Sequence, residues 1–240
     1  MFVKKLYRSV RAEDAALFTL SFLWICVIIQ CVFLSGTDTR SVSAEAADSP
    51  PVLILDPGGA VAPDGTAESA LNLSVALRVR DLCAFLGVDT VMTRDTEEIT
   101  YPSEAKTIAA MKKWDTRRRV EIAESVDSPV FLSIHQNIYP SSGPRGSQVL
   151  YAQNEPSRAL AELIQSRLTA ALLPENRRVP VPAGKDIYIM SHVQCTAVLV
   201  ECGFLSHPQE LSLLQSTDYQ KKIASVLTAC YLQFTEKGVL

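Results

Sequence analysis

The chain has 240 residues, 23 Lys+Arg against 26 Asp+Glu, and 48% hydrophobic residues. That is chain enough for one sizeable domain, and a formal net charge of −3 excludes recruitment to nucleic acid or anionic lipid by bulk electrostatics. Charged residues at 20%, with 10 Gly and 13 Pro, exclude a disordered or fibrous chain, and six Cys are too sparse for a disulfide scaffold.

The first element in chain order is an apolar run, Ala15 to Leu34, twenty residues without a charge. That length matches a hydrocarbon core of about 30 Å at about 1.5 Å of rise per residue. Lys4, Lys5, Arg8 and Arg11 precede it, so the positive-inside rule keeps the N-terminus cytoplasmic and exports the rest. A cleaved signal peptide has an apolar core of about 7–15 residues, and the small-x-small site Ala44-Glu45-Ala46 lies far beyond Leu34. An uncleaved signal anchor is the preferred reading; cleavage and secretion is the alternative. Residues 1–35 then read as a cytoplasmic stub and transmembrane anchor, 36–50 as a small, polar tether and 51–240 as the globular domain. Residues 1–46 hold five basic and four acidic residues, leaving a mildly acidic domain of net charge −4 outside the membrane.

Short apolar runs follow at Val52–Leu55, Val88–Thr93, Val130–Ile134, Gln148–Tyr151, Ile187–Met190 and Ala197–Val200. Runs this continuous predict strands covered on both faces. Helical patterns alternate with them. Leu71, Val75, Val79, Leu82 and Leu86 form one stripe; Asp115–Val126 and Pro156–Leu172 are two further helices, the latter with Pro in its first turn. Ser206-x-x-Gln209 and Thr217-x-x-Gln220 are capping-box signatures opening the last two helices. Between the second run and the Asp115 helix, Thr96 to Trp114 reads as an exposed flap with a short helix. The fold class is α/β: a single twisted, mixed, mostly parallel sheet with helices on both faces.

Glu68 lies three residues before Leu71, on the axis of the apolar stripe, so its carboxylate points toward the sheet. Helix-dipole complementarity explains an acid in a first turn, but not that face. Three ionisable groups follow three apolar runs: Asp56 after Val52–Leu55, His135 after Val130–Ile134 and Glu201 after Ala197–Val200. Ligands of open α/β sheets bind outside the carboxyl ends of strands. Each group has a plainer reading, as a turn cap, a core histidine and an ion-pair partner respectively. Together with Glu68 they suggest a His/carboxylate metal site with a separate acid/base Glu.

Leu55-Asp56-Pro57-Gly58, Glu68-Ser69-Ala70-Leu71-Asn72-Leu73, Met92-Thr93-Arg94, Ser133-Ile134-His135-Gln136-Asn137 and Val200-Glu201-Cys202-Gly203-Phe204 occur in this order. This series resembles the zinc-dependent N-acetylmuramoyl-L-alanine amidases, in particular the membrane-anchored, sporulation- and germination-type members, over about residues 51–234. The resemblance implies a peptidoglycan hydrolase that cleaves the amide between N-acetylmuramic acid and L-alanine, with zinc held by His, Glu and His. Mapped residue by residue, Glu68 and His135 are metal ligands and Glu201 is the general base. Gln136, Asn137 and Arg94 are candidate substrate-binding residues; Asp56 and Asn72 are candidates for orienting the ligands.

The first imidazole ligand is missing. The family pattern is Asp-Pro-Gly-His-Gly-Gly, whereas this chain reads Asp56-Pro57-Gly58-Gly59-Ala60. The other two histidines, His192 and His207, are poor substitutes by position. The expectation is an amidase impaired by loss of a ligand; the alternative is a non-catalytic wall-binding or regulatory module on the same fold. A cysteine hydrolase using Cys202 is a third and weaker reading, because Cys202 points away from Glu201 along its strand. Peptidoglycan is the expected partner, with the membrane contacted through the N-terminal helix and no nucleic acid.

Overall fold

The chain divides into two units, Met1–Ser49 and Pro50–Leu240. The computed structural model describes residues 51–59 and 67–236, so the expected stub, anchor and tether lie outside the described residues. Among the described residues, no helix is long and apolar enough to cross a membrane.

Among the described residues, six strands form one sheet: β1 (Leu53–Pro57), β2 (Thr90–Met92), β3 (Val130–Asn137), β4 (Gln148–Tyr151), β5 (Val181–Pro182) and β6 (Thr196–Phe204). Their order is β2-β1-β3-β6-β4-β5. The β1–β2, β1–β3, β3–β6 and β4–β5 pairs are parallel, and only β4–β6 is antiparallel. Among the described residues, six helices accompany the sheet: α1 (Ala67–Phe85), α2 (Ile108–Glu124), α3 (Glu155–Leu172), α4 (Tyr188–His192), α5 (Pro208–Leu214) and α6 (Thr217–Glu236).

The continuous apolar runs have a simple cause, since successive strand residues enter different cores. Leu53, Leu55, Leu132, Ile134, Val198 and Val200 pack with Val75 and Val79 of α1, Leu160, Ile164 and Leu168 of α3, and Ile223, Leu227 and Phe234 of α6. Ile54, Phe131, Ala197 and Leu199 pack on the other face with Val120 and Ala123 of α2 and Ile189 and Met190 of α4. Each fully buried Val, Leu or Ile contributes about 1.5–3 kcal/mol of transfer free energy, so both layers are strongly specified.

Three details differ from the expectation. Ile187–Met190 is not a strand: Tyr188–His192 forms a short helix, while the edge strand β5 is only Val181–Pro182. The flap and the Asp115 helix are not separate, because α2 already starts at Ile108 behind Thr107, whose hydroxyl accepts from the Ala110 N–H. The last two helices start near the capping signatures but with other caps: His207 caps α5, and the Ser216 hydroxyl accepts from the Tyr219 N–H at the start of α6.

Candidate active site at the carboxyl ends of the strands

Glu68 enters from the first turn of α1, with the Val75 and Val79 stripe below it seated on the sheet. His135 stands near the end of β3. Along β3, Phe131, Ser133 and His135 share the face covered by α2 and α4, whereas α1 covers the opposite face. The two side chains nevertheless meet, with Nδ1 of His135 3.2 Å from Oε1 of Glu68. Gly58 makes this geometry available. The His135 ring lies against Gly58, and a Cβ at that position would overlap the ring. Gly59 follows with φ +74°, its Cα so near Glu68 that a Cβ would lie 3.1 Å from the carboxylate.

Asn72, one turn after Glu68 in α1, orients the pair. Its Nδ2 donates to Glu68 Oε1 and to the Gly58 carbonyl, both at 3.1 Å, and its Oδ1 accepts from Gln136 Nε2 at 3.2 Å. Burial pushes the Glu68 carboxyl upward, but hydrogen bonding and charge from His135, helped by Asn72 and the Gln136 backbone, outweigh it and hold Glu68 below the usual glutamate value.

Glu201 sits beside this pair, because His135 and Glu201 are register partners across β3 and β6. Cross-strand partners share a face, so both side chains rise from the same side of the sheet. The Glu201 Oε2 atom is buried and has no hydrogen-bond partner among the described residues. Burial pushes this carboxyl up to about 7; His135 opposes the shift and the Glu68 charge adds to it. A carboxyl group that gains and loses a proton near neutrality is suited to general acid/base work.

The other predicted residues lie beneath the site. Asp56 is not at a turn but inside β1, fully buried, accepting from Thr93 Oγ1 at 2.7 Å and from Ser133 Oγ at 2.6 Å. Nη1 of Arg119 lies 3.6 Å from Asp56, and Arg119 also pairs with Asp115. Of the run Arg117-Arg118-Arg119, Arg119 is a buried cation. Arg94 does not enter the groove. Four of its N–H groups donate to the carbonyls of Pro57, Gly58, Ser69 and Thr96, tying the end of β1, the first turn of α1 and the flap together. Gln136 is buried and turned to Asn72, so it is placed for support rather than for substrate contact. Asn137 remains half-buried at the strand end, its carbonyl accepting from the Leu205 N–H.

A catalytic zinc ion requires three protein ligands and one open position. Glu68 and His135 are the right kinds of donor and are adjacent, but among the described residues no group of three His, Cys, Asp or Glu is placed to hold a metal ion. The remaining imidazoles are engaged elsewhere. His192 ends α4, before the start of β6, and stacks on Tyr188 with ring centroids 3.7 Å apart. His207 caps α5. Among the described residues the donor set is correct in kind and holds two of the three ligands. Cys202 is buried, and burial pushes its thiol up to about 12, the opposite of what an activated thiolate nucleophile needs.

One supporting residue was not anticipated. Glu210, in the first turn of α5, accepts from the Gly146 and Phe204 N–H groups, each at 2.8 Å, and pins the loop before β4 to the end of β6. Its only sequence signal was an acid in the first turn of a helix after the Glu201 strand.

A carboxylate–imidazole pair and a proton-active carboxyl at the open end of an α/β sheet define a hydrolase-type site. The chain belongs to the N-acetylmuramoyl-L-alanine amidase family of peptidoglycan hydrolases, whose family pattern matches residues 28–230. The germination-specific N-acetylmuramoyl-L-alanine amidase of Bacillus subtilis (strain 168) is 36% identical over 198 residues, 78% of this chain and 81% of that protein. The structure of the CwlD amidase from Clostridioides difficile, in complex with the GerS lipoprotein, has a TM-score of 0.72 at 30% identity, covering 78% of this chain and 99% of that one. AmiC2 of Nostoc punctiforme, also an N-acetylmuramoyl-L-alanine amidase, has a TM-score of 0.63 at 25% identity over 78% of this chain and 98% of its own.

Proposed function

We propose that this chain is an amidase of the zinc-dependent type in which the metal is held by only two protein side chains, Glu68 and His135, and in which turnover is correspondingly impaired. The observation that supports this reading is the 3.2 Å approach of His135 to Glu68, with Glu201 as register partner on the next strand. Glu201 Oε2 is the atom that takes a proton from the attacking water and returns it to the leaving amine of L-alanine. Asn72 and Arg94 hold the frame: Asn72 by fixing the Glu68 carboxylate, Arg94 by fixing the backbone on which Glu68 and Gly58 stand. Losing even a residue that only supports a ligand typically weakens a metal site about 10–100-fold, and losing a ligand itself costs more. The Ala15–Leu34 run anchors the domain on the outer side of the cytoplasmic membrane.

The ligand shortfall also favours a second reading, a wall-binding module that keeps the groove and has lost the reaction. Release of peptide from purified peptidoglycan separates the two. Slow release that disappears in Glu201→Gln supports the impaired amidase. Co-sedimentation with the wall that is unchanged by Glu201→Gln, with no release by the parent chain, supports the module. Release at the rate of an intact family member contradicts both.

A further inference from the structure

The row His135–Glu201 continues across one more strand, because Gln148 of β4 is the register partner of Glu201. The Gln148 amide faces Arg178 and its neighbour: Oε1 accepts from Arg178 Nη1 at 2.9 Å, and Nε2 donates to the Val179 carbonyl at 3.1 Å. Arg178 is fixed at two further points. Its Nε donates to the Arg145 carbonyl at 3.2 Å, and its guanidinium lies 4.7 Å from the centroid of the Phe204 ring. Nη2 has no partner, and no carboxylate pairs with this guanidinium, among the described residues. Arg178 also lines an open hollow of about 350 Å³, together with Arg145, Leu173, Glu175, Asn176 and Arg177. Three arginines face one acid there, and that acid, Glu175, pairs with Arg145.

A cation held by a ring, an amide and a carbonyl, with no counter-charge, has already lost the rotamer freedom that binding an anion would cost. We propose that Arg178 is a specificity-determining residue for the same reaction, and that the hollow it lines, one strand beyond Glu201 and on the opposite side from His135, takes a carboxylate of the peptide stem. This rests on the amidase reading of the groove. A stem peptide ends in a free carboxylate, and the fork of a guanidinium matches that group in two parallel hydrogen bonds. The muramoyl side of the scissile amide then lies toward His135 and the peptide side toward Arg178.

The test is equilibrium binding of the full chain to a muramoyl-peptide with a free terminal carboxylate and to the same compound as its terminal amide. Binding needs no turnover, so weak metal loading does not mask the result. The parent chain should prefer the free acid by about 10-fold or more, the effect of one hydrogen-bonded charge. Arg178→Gln should bind both compounds alike, and Arg178→Lys, which keeps the charge without the fork, should recover part of the preference. Should the Gln variant fail to fold, the Lys variant against the parent carries the comparison. A Gln variant that keeps the full preference, or a parent chain that binds both compounds equally, overturns the role of Arg178 and leaves the amidase reading standing. A parent chain that binds neither overturns the groove reading and this subsite with it.

Discussion

Glu201 is the residue whose environment has the plainest thermodynamic consequence. Its folded-state pKa of about 7 stands above the unfolded value of about 4.3. Between these values the folded state binds more protons than the unfolded chain, so this group lowers stability as pH rises from about 4.3 to 7. Glu201→Gln removes the titration. The variant should therefore gain stability relative to the parent between pH 4 and pH 8, by at most about 4 kcal/mol at about 1.36 kcal/mol per pKa unit, read from urea midpoints. A stability difference independent of pH would place the Glu201 carboxyl in water. At this scale the placement of Glu68, His135 and Glu201 at one end of the sheet was legible in the sequence, because each follows from periodicity or from a strand end. The sequence offered Arg94 as a substrate-binding residue, whereas its partners are main-chain carbonyls brought together only by the fold. It was silent on Gly58, whose missing side chain matters only because a ring from another strand lies against it.

Among the elements, the helix–sheet layer beneath the site carries a buried charge network that the apolar pattern does not reveal. Asp56 on β1, Asp115 and Arg119 on α2 and Thr93 after β2 join the edge of the sheet to α2. Burial pushes the Asp115 carboxyl up against the opposing pull of Arg119. Arg119→Met would leave two buried acids without their cation, and should destabilise the domain by about 3–5 kcal/mol in equilibrium denaturation. A loss under about 1 kcal/mol would show that the pair is hydrated like an exposed one. Strands β1, β3, β4 and β6 were legible because each is an apolar run with both faces covered. Ile187–Met190 was not, since a short apolar run fits a strand and a buried helical turn equally well. Val181–Pro182 was missed for the opposite reason: two residues, one of them Pro, carry almost no strand signal except at an edge.

At the scale of the whole molecule, the proposed function requires the Ala15–Leu34 run to anchor the domain in the membrane. If Ala15–Leu34 spans the bilayer, the full chain stays with the membranes through alkaline carbonate extraction and is shaved by protease added outside; recovery in the soluble fraction contradicts the anchor and supports cleavage. The fold and the family were legible in the spacing of five motifs. The expected loss of a ligand at Asp56-Pro57-Gly58-Gly59 belongs to the proposed function; what supports it among the described residues is two adjacent donors, with His192 stacked on Tyr188 and His207 capping a helix. Zinc bound per full chain, measured by elemental analysis after dialysis against micromolar zinc, tests this most directly. The account predicts well under one ion per chain, rising toward one when the His-containing segment is restored between Gly58 and Gly59. One tightly held ion per unmodified chain, retained on further dialysis, would contradict it.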